Sequence, residues 1–397
     1  MLARFAVGTL SRLFAVGLGA SAGACYYLPP EVVPSSTTAV VNKIEGITEL
    51  PNAQTIRILF IHGIGEHNAC DPDTLLLHLS KALQVRQSPP SALDDKADCQ
   101  SHFAIPKPTP MSGAADAALL YKYDFLGNSR HLKFSFLLWS PLTQKLKETL
   151  DEPQLPHHAL LASLAKEFEQ DNLADVVLYG GRYREVIRPQ VEKALCDFIG
   201  GVPGDDPRIC DNGTGDIPTA IVTHSLGGYM LMDAMADIYK RPRNRAEREA
   251  RNAAEKVGRE LNLIFMLANQ LKMLDLSTKK SEGGASEVVE GFRASWKAAR
   301  RWGAKGEPEA KRQLVAISDP NDILSWEVTD TEFNRPEFTV ANVYLGTTGE
   351  FFGLYRAPIA PIAALPDRAH LNYLKDDDVM DIIVCGMTGN TINRCAP

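Results

Sequence analysis

The chain has 397 residues, of which 45% are hydrophobic and 23% are charged. These proportions are close to the average of globular proteins and exclude a disordered, collagen-like or multi-span membrane chain. The net charge of −7 argues against nucleic-acid binding, which normally requires a basic domain.

The N-terminus has the features of an export signal. Arg4 and Arg12 are the only charged residues among the first 30, and an apolar run begins at Leu13. A basic start, a short apolar run and small residues after it are typical of a secretory signal, whereas a spanning helix needs about 20 apolar residues. We predict a signal peptide at 1–24, with an uncleaved anchor helix as the alternative, and a Pro/Ser/Thr-bearing tether at 25–54.

One of the seven cysteines, Cys25, lies where such a signal would be cleaved. The segment Ala22–Cys25 resembles a bacterial lipobox, although Ala22 stands where leucine is usual, and this makes Cys25 a candidate for lipidation. An acylated N-terminus would attach the protein to a membrane.

The other six cysteines form three couples that are near in sequence, which suits an oxidising compartment. Their connectivity stays open at this point, and six reduced, buried thiols are the alternative. The couples are Cys70 and Cys99, Cys196 and Cys210, and Cys385 and Cys395.

Apolar runs typical of buried strands alternate with helical patterns along the chain. The strongest run, Ile56–His62, is nearly continuous, as expected for a strand covered on both faces of a parallel sheet. The alternation predicts an α/β fold, a doubly wound and mostly parallel sheet with helical insertions, over residues 55–397. Further strands are predicted at 132–139, 176–179, 219–223, 263–267, 314–318 and 339–345, and helices at 73–83, 141–150, 183–199, 227–239 and 377–384.

Two insertions rich in basic residues, 240–260 and 279–312, interrupt this alternation. The second also contains Phe292, Trp296 and Trp302. It is interpreted either as a solvated helix whose aromatic side chains pack on the domain, or as a lid or membrane-facing cap.

Ser225 directly follows a predicted buried strand and precedes an apolar helix. A serine at such a tight turn exposes its Oγ, and the start of the helix favours a developing oxyanion. With its neighbours in Thr223-His-Ser-Leu-Gly227, it resembles the nucleophile motif of the α/β-hydrolase superfamily of serine esterases and lipases. The resemblance covers residues 55–390 and departs from the family pattern at Thr223, where a glycine is usual.

A glycine-containing loop follows the first strong strand. Glycines let the backbone approach a ligand closely. The resemblance implies that the backbone N–H groups of Ile64 and Leu226 form an oxyanion hole, supported by Gly63, Gly65 and Gly227. The alternative is a loop that only reverses the chain.

The resemblance also implies a base and an acid after the serine. His370 is the sole histidine after Ser225. Two aspartates, Asp319 and Asp322, follow the predicted strand where the family has its acid. Asp322, followed by apolar residues, matches the family loop better, and Asp319 is the alternative acid.

The chain is therefore expected to be a serine hydrolase of carboxylic esters that forms an acyl-enzyme on Ser225. This chemistry needs no cofactor and no metal. The substrate would be a small-molecule or lipid ester. The protein would be exported, and either anchored to a membrane of the cell envelope through its N-terminus or periplasmic or secreted. Two alternatives stay open: an acyltransferase with the same triad, and a noncatalytic envelope lipoprotein that keeps the fold for binding.

Overall fold

The computed structural model covers the chain with gaps, which include 1–29 and therefore Cys25 and the expected signal peptide. Most of the insertion at 240–260 and part of the one at 279–312, with Trp302, also lie outside the described residues. The described residues are 30–33, 41–50, 54–149, 173–206, 209–211, 217–240, 257–258, 261–274, 286–300, 312–328, 338–347 and 366–395.

A ten-stranded sheet forms the centre of the molecule, in the order β1-β13-β12-β11-β10-β3-β7-β6-β4, with β5 paired to β6. The six strands from β13 to β7 are parallel, whereas β1, β4, β5 and β6 pair antiparallel at the two sides. The strands are β1 (Glu31–Val33), β2 (Lys43–Ile44), β3 (Thr55–Ile61), β4 (Arg86–Gln87), β5 (Thr109–Pro110), β6 (Leu119–Leu126), β7 (His131–Leu138), β8 (Val202–Pro203), β9 (Cys210–Asp211), β10 (Thr219–His224), β11 (Leu261–Leu267), β12 (Arg312–Ser318), β13 (Phe338–Tyr344), β14 (Met387–Thr388) and β15 (Thr391–Ile392).

Helices cover both faces of this sheet, and each face has its own buried apolar cluster. One cluster includes residues of α1 and α9, and the other includes residues of α3, α4, α5 and α7. The predicted α/β fold class is thus confirmed: the sheet is mostly parallel and doubly wound. The helices are α1 (Asp73–Leu83), α2 (Pro141–Glu148), α3 (Ala174–Gly180), α4 (Arg184–Phe198), α5 (Leu226–Lys240), α6 (Leu271–Leu274), α7 (Glu287–Arg300), α8 (Pro366–Leu371) and α9 (Asp377–Cys385).

One predicted strand, 176–179, is wrong, because this segment belongs to helix α3. The buried residues of α3, Asp175 and Tyr179, are four apart, while Val177 between them is 73% exposed. Positions four apart share a helix face. A four-residue apolar run is too short for periodicity to separate a strand from a helix.

Strand β6 was not predicted from the sequence, although it carries a signal for one. Its charged residues Lys122 and Asp124 are exposed and alternate with the buried Tyr121, Tyr123 and Phe125. This alternation is typical of a strand with one solvated face. Because charged residues interrupt its apolar ones, β6 contains no long continuous apolar run, which is the pattern from which the strongest strand was predicted.

Parts of the predicted tether belong to the folded domain. Strand β1 pairs with the sheet edge β13, and β2 pairs with β14 near the C-terminus. Ile44, Ile47 and Leu50 are buried in the core. The boundary at residue 55 is therefore wrong for these described residues.

Helix α7 carries two of the three aromatic residues of the second basic insertion. Phe292 and Trp296 are buried, and the indole N–H of Trp296 donates to the backbone oxygen of Leu261 at 3.3 Å. Within this helix the aromatic side chains therefore pack on the domain and do not form a membrane-facing surface. Among the helices of the described ranges, none combines the length and apolar character needed to cross a membrane.

Three disulfides join the cysteines that are near in sequence, so the structure decides between the connectivities that the sequence left open. They link Cys70 to Cys99, Cys196 to Cys210, and Cys385 to Cys395. Disulfides persist mainly in oxidising compartments outside the cytosol.

Candidate active site

Ser225 lies on a sharp turn between the central strand β10 and helix α5. Its backbone φ is 52°, in the left-handed region that non-glycine residues rarely adopt,. Its N–H donates to the backbone oxygen of Leu267 on the neighbouring strand at 2.8 Å. Thr223 stands where the nucleophile motif that this segment resembles has a glycine. It is buried, and its hydroxyl donates to Phe265 O at 3.3 Å. The turn therefore forms with threonine at this position.

Two of the predicted supporting glycines lie where no side chain fits. A Cβ on Gly63 would lie 2.5 Å from the Cβ of Ser225. A Cβ on Gly227 would lie 2.5 Å from Ile61 O and 2.6 Å from His62 O. The start of α5 can therefore pack directly against the end of β3 only because these positions lack side chains.

Ser225, His370 and Asp322 form one buried line of hydrogen bonds. The Nε2 of His370 lies 2.7 Å from Ser225 Oγ, and its Nδ1 lies 2.9 Å from Asp322 Oδ2. Ser225 and His370 are each 1% exposed. Because a carboxylate only accepts, Nδ1 carries the hydrogen and Nε2 is free to accept the serine proton.

The carboxylate of Asp319, the alternative acid, is hydrogen-bonded to Thr347 and Asn321 and not to His370. Its Oδ2 accepts from the N–H and the hydroxyl of Thr347, both at 2.7 Å, and its Oδ1 accepts from the N–H of Asn321 at 2.8 Å. Burial raises the pKa of Asp319, and these hydrogen bonds oppose that shift. Its contacts shape the loop between β12 and Asp322.

Tyr373, to which the sequence analysis assigned no role, joins the two aspartates. Its hydroxyl accepts from the N–H of Asp319 at 2.6 Å and donates to Asp322 Oδ2 at 3.0 Å. Burial, and then the charge of Asp322, raise the pKa of Tyr373 well above its ordinary value, which keeps its hydroxyl protonated. Its place three residues after His370, on the same turn, is the only sequence signal for this role.

A second histidine, His224, holds the backbone of His370. Its Nε2 lies 2.7 Å from the backbone oxygen of His370, to which it donates. Burial, and then the nearby His370, lower the pKa of His224 well below its ordinary value. The neutral imidazole of His224, the residue before Ser225, therefore holds the backbone of His370, whose ring is hydrogen-bonded to Ser225 Oγ.

The loop after β3 contains the predicted donor Ile64. His62 supports this loop, because its Nδ1 donates to Gly63 O at 2.8 Å and its Nε2 accepts from Trp139 N–H at 2.9 Å. Burial lowers the pKa of His62 well below its ordinary value, so these roles suit a neutral ring. His67 also supports the loop, because its Nε2 lies 3.0 Å from Ile64 O.

The two predicted oxyanion donors have no competing acceptor within the described residues. Leu226 is the first residue of α5, where backbone N–H groups lack intrahelical acceptors,. The carbonyl of Ile64 is occupied by His67, whereas its N–H is unbonded in the described part of the chain. Neither N–H group is therefore committed to another acceptor in that part of the chain, and both residues are fully buried.

A metal site is not found in the described ranges. No group of three or more His, Cys, Asp or Glu side chains among those residues is arranged to hold a metal ion.

Comparisons with known proteins do not identify a family. No protein-family model matches the chain. No curated protein matches it either.

Two solved structures show a weak likeness. Acetyl xylan esterase 1 from Thermoanaerobacterium sp. JW/SL YS485 has 9% identity and a TM-score of 0.21, covering 73% of this chain and 93% of its own. The siderophore hydrolase EstB from Aspergillus nidulans has 10% identity and a TM-score of 0.23, covering 85% of this chain and 95% of its own. At these values neither carries an argument about activity or substrate.

Replacing Gly63 with alanine is expected to displace Ser225, because the added Cβ has no room beside the serine. Misplacing a reacting group by about 1 Å costs roughly 100-fold in rate, so the reaction of Ser225 with a fluorophosphonate should slow by about that factor. Gly113→Ala is the matched control, since its Cβ would meet nothing within 4 Å. A folded Gly63→Ala variant that reacts like the wild type would contradict the close packing.

Tyr373→Phe is expected to lower both stability and reactivity. It leaves the Asp319 N–H without its acceptor, which costs about 1–3 kcal/mol, and it frees Asp322 from one donor. Urea unfolding and the fluorophosphonate rate measure the two effects. Tyr123→Phe is the control, because its buried hydroxyl donates to Ala69 O at 3.2 Å, away from Ser225. If both variants react equally fast, Tyr373 does not orient Asp322.

Proposed function

We propose that this protein is a serine hydrolase of carboxylic esters. The observation that carries the proposal is the geometry around His370, with Ser225 Oγ at 2.7 Å from one ring nitrogen and Asp322 at 2.9 Å from the other. A serine is a weak nucleophile by itself and needs such a base, held in turn by an acid.

In the first half of the reaction, Ser225 Oγ attacks the ester carbonyl carbon while His370 Nε2 takes its proton. Asp322 stabilises the imidazolium that forms. The carbonyl oxygen becomes an oxyanion, which the N–H groups of Ile64 and Leu226 would stabilise; removing one such donor typically costs about 2.7–4 kcal/mol. His370 then gives its proton to the alcohol as the C–O bond breaks, leaving an acyl group on Ser225.

In the second half, water attacks the acyl carbon and passes a proton to His370. The acid leaves, and the proton returns to Ser225 Oγ. Apart from the ester and water, these steps need no reactant, and none of them is a redox step.

We further propose that the substrate presents an apolar group. Ile323 and Leu371, which directly follow Asp322 and His370, are exposed although both are large and apolar. The residues that they follow are hydrogen-bonded to each other, with Asp322 Oδ2 2.9 Å from His370 Nδ1, and an apolar part of the substrate would contact Ile323 and Leu371 beside this pair. Within the second basic insertion, Phe292 and Trp296 are buried, so these two side chains do not support a lipid substrate.

An acyltransferase would use the same side chains, with an alcohol replacing water in the second half. A noncatalytic protein would have the fold without turnover. Both are outcomes of the following experiment.

The wild type is expected to react with a fluorophosphonate and to hydrolyse p-nitrophenyl esters, with octanoate preferred to acetate. Ser225→Ala and His370→Ala should lose turnover by roughly 10⁴–10⁶-fold. A folded wild type that neither reacts nor turns over, with and without lipid vesicles, would contradict the proposal. Product formed faster with an added alcohol, as a new ester, would indicate the acyltransferase.

The two aspartates provide a matched pair within this experiment. Asp322→Asn should lose roughly 10⁴-fold in kcat, as expected for a triad acid, whereas Asp319→Asn should keep most of its reactivity. The reverse order would assign the acid to Asp319.

We also propose that the protein is exported and attached to a membrane through a lipidated Cys25, as the three disulfides and the N-terminal sequence suggest. Intact mass spectrometry of the protein from its native host should give a chain that starts at Cys25 with added acyl mass. Reduction should add two hydrogens for each of three disulfides. A mature chain that retains residues 13–24 would exclude lipidation.

A further inference from the structure

The loop from His62 to Gly65, which carries the proposed donor Ile64, is held at each of its first three carbonyls. His62 O accepts from the Trp139 indole N–H at 2.9 Å, and Gly63 O lies 2.8 Å from His62 Nδ1. Ile64 O lies 3.0 Å from a ring nitrogen of His67. These three bonds come from the side chains of Trp139, His62 and His67.

The next backbone group of the loop, the Gly65 N–H, is held differently. It donates to Asp175 Oδ2 at 2.9 Å, and the same oxygen lies 3.2 Å from Lys147 Nζ. Asp175 comes from α3 and Lys147 from α2, so two helices far along the chain meet at this peptide group. Asp175 is fully buried, and the Lys147 side chain is only 7% exposed.

Stability does not explain why charged residues occupy these positions. Burying two charges is costly, and an apolar pair of similar volume often gives an equally or more stable protein. The other oxygen of Asp175, Oδ1, has no hydrogen-bond partner in the described part of the chain, which adds to that cost. What this pair provides is a strong acceptor for one backbone N–H.

That N–H belongs to the peptide group whose carbonyl is Ile64 O. With the carbonyl bonded to His67 and the N–H bonded to Asp175, this peptide plane cannot rotate. Its orientation, together with the bond from His62 to Gly63 O, restricts the direction of the preceding peptide group, whose N–H is that of Ile64. Gly65 has a φ of 98°, and the two hydrogen bonds of this peptide group hold the turn in that conformation.

We propose that Asp175, held by Lys147, is a positioning residue for the oxyanion hole: it fixes the peptide group between Ile64 and Gly65 so that the Ile64 N–H stays directed at the reacting carbonyl. This inference rests on the proposed hydrolase function. It predicts that the hydrogen bond to Gly65 matters for kcat, and that the ion pair as such matters less.

Two double variants separate the hydrogen bond from the ion pair. Both remove the charges: Asp175→Asn with Lys147→Met keeps a side-chain oxygen that can accept from Gly65, and Asp175→Leu with Lys147→Met does not. The leucine variant is expected to lose roughly 10–100-fold in kcat, the range typical of a slightly misplaced catalytic group, with KM changed by less than about threefold, since the ester itself is still bound. The asparagine variant should recover most of that loss.

Backbone amide exchange gives a readout that does not depend on turnover. The Gly65 N–H should exchange faster in the leucine variant than in the asparagine variant, while the thermal midpoint of the leucine variant stays equal or rises. Lys145→Met is the control for the lysine change, because Lys145 is an exposed neighbour in the same helix that pairs with Asp116. It should leave both readouts as in the wild type.

Equal kcat values in the two double variants, or equal Gly65 exchange, would overturn the positioning role while leaving the hydrolase proposal intact. A fall in kcat that parallels a fall in the thermal midpoint would also overturn it, in favour of a purely structural role. If the wild type itself has no turnover while Ser225→Ala is indistinguishable from it, the hydrolase proposal fails and the positioning role fails with it.

Discussion

Ser225 has a φ of 52°. The surrounding structure has to hold this strained turn in place. A non-glycine residue in this region of the Ramachandran plot costs about 1–3 kcal/mol, which must be recovered elsewhere. The packing around the turn offsets this cost. The turn follows the buried strand β10, the Ser225 N–H is bonded to Leu267 O, and Gly63 lies in close contact with Ser225. A strained turn held by the sheet keeps Oγ in one place, as the proposed role of Ser225 as a nucleophile requires.

The central parallel strands bring the other groups of the site to the same edge. Strands β10, β11 and β12 are neighbours in the sheet, so the loops that follow their carboxyl ends meet beside Ser225. In open α/β sheets ligands bind at this edge. The position of Asp322 is thus a consequence of strand order. Asp322 and His370 are hydrogen-bonded although they are 48 residues apart in the chain.

Buried polar groups at this edge divide into neutral rings and charged acceptors. Burial lowers the pKa values of His62 and His224, so they remain neutral and hold backbone carbonyls. Asp322 and Asp175 act as acceptors, one for the imidazole of His370 and one for a backbone N–H. Each of these buried carboxylates is thus bonded to at least one donor, as buried polar groups generally are.

How much of this could be predicted from the sequence depends on the range of the interactions. The continuous apolar run of β3 and the order of serine, acid and histidine were visible in the chain, because strand burial and turn chemistry are local. The segment 176–179 was misassigned, because four apolar residues fit a strand as well as a helix. The alternation in β6 was a local signal that a search for continuous runs does not detect.

The sequence by itself determined the alternation of strands and helices, the serine turn with its required glycines and a short list of candidate acids. Only the tertiary structure shows that Asp322 is the aspartate hydrogen-bonded to the imidazole of His370, whereas Asp319 is bonded to Thr347. It also decided the contact between Asp175 and Gly65, which are 110 residues apart. Contacts of that kind depend on how helices settle on a sheet, and no local pattern of residue types encodes them.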